Sequence, residues 1–195
     1  SVKNIFNIAN NYYISYVNQI YFMNRRQILF IGCLLTSLLN FAQNDIFNIA
    51  RSGSVADVQT LMKIDSDTIN AVNDKGFTAL TLACYHGNEA VALYLLNHVN
   101  NVNGVSKYGT PLMAAVFKEQ VVLTKALLEK GANPNISDVN KTTPLHYAVL
   151  LKNKTLIELL LDANVDRTLR DSRDKTALDY ALMDDNKAII ELLKK

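Results

Sequence analysis

Cysteine and net charge are both scarce in this sequence, and each scarcity excludes a class of protein. The 195 residues include only two cysteines, Cys33 and Cys84. We expect Cys33 to lie in a segment that is removed, which leaves Cys84 without a partner for an intramolecular disulfide. The 20 basic and 18 acidic residues give a formal net charge of only +2. Nucleic-acid binding needs a concentrated basic surface, so we expect no nucleic-acid partner.

Signatures of catalysis and of metal binding are lacking as well. The sequence contains no Ser-His-Asp signature, no Walker loop and no G-x-G-x-x-G motif. Its histidines do not show the one-face pairing that a metal site requires, and they are His86, His98 and His146. Cys84 occupies a position that holds a small residue in the internal repeat of residues 44–195, and we expect it to be buried there. We therefore expect no enzyme activity, no catalytic residue, no metal and no cofactor.

The N-terminal segment differs from the rest of the chain. Residues 1–42 hold three basic residues and no acidic one, whereas residues 43–195 hold 17 basic and 18 acidic residues. Met23 is followed by Arg25-Arg26 and then by a mainly apolar run over residues 28–39, which is the layout of a secretory signal peptide. We predict a signal peptide over residues 23–42 with cleavage near Ala42, although Asn40 matches the small-x-small rule for cleavage poorly.

Three alternatives to a cleaved Sec signal stay open. An uncleaved membrane anchor is disfavoured because the apolar run is shorter than the roughly 18 to 20 residues that a spanning helix needs. A lipoprotein modified at Cys33 is disfavoured because the apolar run continues past this residue. Arg25-Arg26 resembles a twin-arginine signal, but no buried cofactor is implied. We expect a periplasmic or secreted bacterial protein that meets the membrane only during export.

An internal repeat dominates the remaining sequence. T-x-L triplets begin at Thr78, Thr110, Thr143 and Thr176, at spacings of 32, 33 and 33 residues. The third residue after each leucine is an alanine, and these alanines are Ala83, Ala115, Ala148 and Ala181. A weaker copy begins near Ile46. The repeat predicts five units, at about residues 44–73, 74–105, 106–137, 138–170 and 171–195.

This pattern resembles the ankyrin repeat, whose signature is T-P-L-H-x-A at a period of about 33 residues. Residues 143–148 (TPLHYA) match the signature in full, and residues 131–135 (GANPN) look like the G-A-D/N-x-N turn of the family. The resemblance extends over residues 44–195. It implies an all-α solenoid of five helix-turn-helix units with short β-hairpin or turn linkers, and it gives His146 a structural role in orienting a turn.

Elementary helix chemistry agrees with this fold. Thr143 can accept a backbone N–H as a helix N-cap, and the small alanines let neighbouring helices approach closely. Gly131 can end a helix in the left-handed conformation, and Asn164, which also tolerates it, takes the same place in the next unit. Val99 takes that place in the preceding unit. We therefore expect the turn over residues 97–103 to be strained or differently shaped.

The resemblance also implies where a partner would bind, because ankyrin repeats generally bind proteins through their hairpin tips and their concave helix surface. The matching positions carry aromatic and apolar side chains where polar ones would suffice, which is typical of binding anchors. The predicted partner-binding residues are Phe77, Tyr85, His86, Tyr108, Phe117, Leu150, Leu151 and Arg173. We expect Phe77, Tyr85, Tyr108 and Phe117 to share one exposed face. If they fold back onto the core instead, the proposed surface does not exist.

These observations favour a monomeric protein-binding module whose partner is another protein. The alternative is an inhibitor or immunity-type protein that neutralises a toxin or an enzyme. An enzyme on this scaffold is a remote alternative, because no motif supports it.

Residues 1–22 generate a first testable prediction. They are rich in Asn, Ile and Tyr and precede a credible start at Met23, so we interpret them as a non-native or disordered extension upstream of the protein that the cell makes. Mass spectrometry of the protein isolated from its own cells should find no peptide from residues 1–22 and a mature N-terminus close after Ala42. Detection of any peptide from residues 1–22 contradicts this interpretation.

Overall fold

A computed structural model describes residues 45–194. The predicted signal peptide, the upstream extension and Cys33 lie outside the described residues. Residues 45–194 form ten α-helices, one short 3₁₀ turn over Thr68–Asn70 and no β-strand. The helices are α1 (Ile46–Ser52), α2 (Val55–Ile64), α3 (Ala79–His86), α4 (Glu89–Leu96), α5 (Pro111–Phe117), α6 (Val121–Glu129), α7 (Pro144–Leu150), α8 (Lys154–Asp162), α9 (Ala177–Met183) and α10 (Lys187–Lys194).

The helices form five pairs that stack in one direction. The first helices of the pairs contact each other in sequence, from α1 through α3, α5 and α7 to α9, and the second helices do the same from α2 to α10. Each pair therefore packs mainly against its neighbours in sequence, which is the organisation of a solenoid. The predicted all-α solenoid of five helix-turn-helix units is confirmed. The first two linkers are hairpin-like, with single antiparallel bridges between Val72 and Thr78 and between Ser106 and Gly109.

Buried alanines form the centre of the stack of first helices. Ala50, Ala83, Ala115 and Ala148 have no exposed surface, and Ala181 is 1% exposed. Because alanine is small, the backbones of successive first helices can come close without leaving a void. Cys84, next to Ala83, is also fully buried, as predicted, and burial raises the pKa of its thiol.

The start of α7 shows how the T-P-L-H motif holds two repeats together. The Thr143 backbone N–H donates to Nδ1 of His146 (3.3 Å), and the Thr143 hydroxyl lies 2.8 Å from the same atom. Because Nδ1 accepts this N–H, the ring proton is assigned to Nε2, which donates to the Lys175 carbonyl oxygen at 3.0 Å. His146 therefore links its own helix to the next linker, in the structural role that the resemblance implies.

The shape of the turn after a second helix depends on whether the residue at its left-handed position tolerates a positive φ angle. Gly131 and Asn164 adopt positive φ angles of 83° and 55°, as predicted. Val99 keeps a negative φ, and its N–H donates to the Leu95 carbonyl oxygen at 2.9 Å. The turn after α4 thus has a different shape from the equivalent turns, which confirms the expectation drawn from Val99.

In residues 45–194, no helix combines the length and the apolar character needed to cross a membrane. The apolar run over residues 28–39 lies outside this part of the chain.

A buried hydroxyl in α6 offers a test of how the core is packed. Thr124 has no exposed surface, and its Oγ1 atom has no hydrogen-bond partner. Apolar residues take the equivalent positions of the flanking repeats, namely Ala92 and Ile157. An unpaired buried polar group costs about 1–3 kcal/mol. Thr124→Val removes the hydroxyl with little change of shape, so the free energy of unfolding measured in urea should rise by about 1 kcal/mol.

Thr60→Val is the matched control for this substitution. The Thr60 hydroxyl is exposed and donates to the Ala56 carbonyl oxygen at 2.8 Å, so its removal should bring no comparable gain. A Thr124→Val protein that is no more stable than the parent would show that the hydroxyl is not left unpaired in solution.

Candidate protein-binding groove

The turn at the tip of each linker between repeats is closed by a polar side chain at the first residue of that turn. In the first linker, Oδ1 of Asn73 accepts the backbone N–H groups of Lys75 (3.0 Å) and Phe77 (2.9 Å). The positive φ of Gly76, 81°, completes this turn. Ser106, Asp138 and Asp171 take the same position in the later linkers and accept backbone N–H groups in the same way. The linkers are therefore fixed turns that hold their tip residues in defined places.

Two linker residues, Phe77 and Tyr108, form one wall of a groove between the linkers and the first helices. The rings of Phe77 and Tyr108 stack, with centroids 5.3 Å apart and planes at 7°. The second wall comes from the first helices, where Tyr85 and Phe117 stack with centroids 6.3 Å apart and planes at 5°. Tyr147 extends this wall by an edge contact to Phe117 at 5.6 Å. Each aromatic contact of this kind is worth roughly 0.5–1.5 kcal/mol beyond simple burial.

The groove between these walls has a volume of about 460 Å³. Its remaining surface is contributed mainly by α3 and α5, and its lining residues are Arg51, Asn73, Lys75, Phe77, Thr81, Leu82, Tyr85, His86, Tyr108, Met113, Ala114, Phe117 and Tyr147. Ala114 is the residue directly before the final alanine of its T-P-L-x-x-A motif, residues 110–115. The neighbouring repeats carry the larger Leu82 and Tyr147 there, so the alanine leaves space in the middle of the groove.

The structure places the four predicted aromatic residues around this one groove. Tyr85, Tyr108 and Phe117 are exposed by 46%, 59% and 44%, and Phe77 is half-buried. The expectation that these side chains face one common surface is met, with Phe77 less exposed than expected. Their role in binding a partner stays a prediction. His86 also lines the groove.

Three predicted residues lie elsewhere. Leu150 is exposed but lines a separate small cavity beside Lys152 and Asp184. Leu151 is a half-buried residue that directly follows α7, and Arg173 is exposed in the last linker. The groove is lined by residues of the first four repeats, from Arg51 to Tyr147, and none of these three residues lines it. Their role in binding a partner stays a prediction.

Tyr147 is not among the predicted binding residues, although the sequence contains a signal for it. Tyr147 is the x residue of T-P-L-H-x-A and lies three residues before Leu150 on α7, hence on the same helix face. Leu82 and Ala114 have the same relation to Tyr85 and Phe117 and also line the groove. A search at this helical spacing would have found all three residues.

Two charged side chains lie over rings of the groove. The Lys107 ammonium is 4.8 Å from the ring centroid of Tyr108, and the Lys118 ammonium is 5.2 Å from that of Tyr85. Both distances are within the range of a cation–π contact. The groove therefore offers apolar contact and positive charge.

Within residues 45–194 there is no cluster of three His, Cys, Asp or Glu side chains placed to hold a metal ion.

Tyr147 connects the groove wall to the third linker. Its hydroxyl donates to Oδ2 of Asp138 at 2.9 Å, while Oδ1 of Asp138 accepts the N–H groups of Asn140 and Thr142. Burial, together with the hydrogen bond to Asp138 and the negative charge of that carboxylate, raises the pKa of Tyr147 to about 12. The Tyr180 hydroxyl makes the same contact with Asp171 one repeat later. These tyrosines clamp a linker onto a first helix.

The pKa of Tyr147 yields a prediction about alkaline pH. A folded-state pKa above the unfolded value of about 10 means that the contribution of Tyr147 to stability is complete below pH 10 and is lost as the pH rises towards 12. The tyrosinate absorbance difference between the parent protein and Tyr147→Phe should have its midpoint at about pH 12. Asp138→Asn should lower that midpoint, because it removes the charge and keeps a turn-closing oxygen like that of Asn73. A parent midpoint near pH 10 contradicts the clamp.

Comparison with known proteins agrees with the repeat found in the sequence. The family model described as ankyrin repeats (3 copies) matches residues 46–138 and 123–195. The chain is also similar to the ankyrin repeat and KH domain-containing protein mask of Drosophila melanogaster, with 43% identity over 63 residues. That similarity covers 32% of this chain and only 2% of the relative. Ankyrin repeats are protein–protein interaction modules that serve as non-enzymatic scaffolds. This chain belongs to the ankyrin-repeat family.

Proposed function

We propose that this protein binds a partner protein through the aromatic groove, which we define by the rings of Phe77, Tyr85, Tyr108, Phe117 and Tyr147. The observation that carries the proposal is that three of these rings are each more than two-fifths exposed around a single apolar groove. Exposed aromatic side chains that cluster in a concavity are favoured as binding anchors.

The arrangement of the rings lowers the cost of association. Phe77 is stacked on Tyr108 and Tyr85 on Phe117 before any partner arrives, and the linker turns are closed by side-chain hydrogen bonds. An anchor that is already held in place loses little conformational entropy on binding. The free protein therefore presents a preformed surface.

Alanine substitution in the groove tests this proposal. The partner is recovered with the tagged protein from its own cells, and its affinity for purified variants is then measured by calorimetry. Phe117→Ala and Tyr108→Ala should each weaken binding by roughly 10- to 30-fold, the size expected for a central anchor. Neither side chain is buried in the core, so circular dichroism should show that both variants stay folded.

The control is Val122→Ala. Val122 is 60% exposed on α6, a second helix of a repeat, outside the groove, so its loss should leave the affinity within about twofold, as for a surface residue outside an interface. Equal losses at Val122 and Phe117 would place the binding surface elsewhere. A tight one-to-one complex that abolishes the activity of an enzyme or a toxin would instead favour the inhibitor alternative.

We also propose that the domain acts after export, in the periplasm or outside the cell. The support is the sequence around Arg25-Arg26 and the apolar run over residues 28–39. An intact Met23 N-terminus on the protein isolated from its cells would contradict cleavage.

A further inference from the structure

Four positively charged side chains surround the aromatic groove. Arg51 and Lys75 line it directly, while Lys107 and Lys118 lie over the rings of two lining tyrosines. We call these four residues the basic rim. The ion pairs within residues 45–194 all lie elsewhere, between Lys125 and Glu129, between Lys152 and Asp184, and between Arg170 and both Asp174 and Asp179. No carboxylate of the described chain therefore neutralises the rim by direct pairing.

Acidic side chains are absent from the lining of the groove in the described part of the chain. Glu119 follows Lys118 in sequence but accepts a hydrogen bond from Nδ2 of Asn153 at 3.0 Å. Asp138 is engaged by Tyr147 and by the third linker. Asp74 is exposed at a linker tip next to Lys75 and is not a lining residue. The groove thus combines an apolar interior with four cationic side chains that form no ion pair within residues 45–194.

This combination specifies the chemistry of an occupant. An apolar interior of about 460 Å³ suits one or two large side chains, and flat rings favour aromatic or long aliphatic groups. A positive edge favours carboxylates placed around those groups, since complementary charge increases both specificity and the association rate. A lysine held over a ring has its ammonium fixed near the groove, which strengthens this preference.

We infer that the occupant is an extended segment of the partner protein that inserts an aromatic or large aliphatic side chain between the rings and carries Asp or Glu on either side of it. This inference rests on the proposed function and names the partner chemistry of the same groove. Residues 1–42 of this chain are poor occupants, because they contain three basic residues and no acidic one.

Peptide selection tests the inference without knowledge of the partner. The full-length protein is used to select from a phage-displayed library of random peptides, and enriched peptides are synthesised with a fluorescent label and titrated by anisotropy. The enriched peptides should contain an aromatic or large aliphatic residue flanked by Asp or Glu. Their affinity should fall as salt is raised, since surface charges are screened. Recovery of no peptide, or of peptides without excess acidic residues, overturns the inference.

Charge reversal tests the basic rim itself. The double substitution Lys107→Glu with Lys118→Glu should weaken binding of the acidic peptides by about tenfold or more, as expected for two exposed ion pairs turned into repulsions. The same variant should bind versions of these peptides with Lys in place of Asp and Glu better than the parent does. The matched control is Lys125→Glu with Lys130→Glu on and after α6, which changes the net charge equally but lies outside the groove and should have little effect. Equal losses in both double variants overturn the inference.

The groove substitutions separate this inference from the proposed function. If the selected peptides are not acidic but lose binding in Phe117→Ala, the inference of an acidic partner segment is wrong and the groove is still the binding site. Acidic peptides whose binding is unaffected by Phe117→Ala and Tyr108→Ala would overturn both, because the positive charge would then act at another surface.

Discussion

The close approach of the first helices over buried alanines is the constraint on which the rest of this structure depends. Ala83 on α3 and Ala115 on α5 have no exposed surface, and these two helices contact each other. This approach brings Tyr85 and Phe117, each two residues after its alanine, to a centroid distance of 6.3 Å with nearly parallel rings. A larger residue in place of either alanine would separate the helices, since a packed interior does not absorb extra volume. The aromatic wall would then open, so the buried framework determines the geometry of the exposed groove.

The linkers show that one backbone shape can be built from different side chains. Asn73, Ser106, Asp138 and Asp171 all accept the N–H two residues later. The two aspartates additionally accept a tyrosine hydroxyl. Because an asparagine or a serine suffices for the turn alone, the second carboxylate oxygen is free for the clamp onto the first helix. The first two linkers lack this clamp among their described contacts, and there the tip side chains stack with each other instead. The groove lies beside those linkers.

Features that depend on local backbone chemistry could be predicted from the sequence. The left-handed Gly131 and Asn164 and the altered turn at Val99 follow from which residues tolerate a given conformation. The structural role of His146 at the start of α7 came from the family resemblance. The location of the groove was only partly predictable. Counting positions within each repeat treats all repeats as equivalent, so it groups Tyr85, Tyr108 and Phe117, which line the groove, with Leu150 and Arg173, which do not. The repeats differ in the size of the residue before the final alanine of the motif, because Ala114 leaves space where Tyr147 fills it. Such a difference in side-chain volume affects the surface only when neighbouring repeats are packed together.

The separation between framework and surface also explains how such a groove can acquire a specific partner. Tyr108 and Phe117 are 59% and 44% exposed, and Lys107 and Lys118 are exposed residues outside the core. Their substitution therefore costs little folding energy, in contrast to any change at Ala115 or His146. Charge around the groove can thus be altered independently of the ring geometry, and discrimination between partners can come from repulsion as well as from attraction. In this chain the basic rim, which makes no ion pair within residues 45–194, disfavours segments that carry Lys or Arg next to their apolar anchor. The apolar interior supplies the affinity, and the rim determines which apolar segments are admitted.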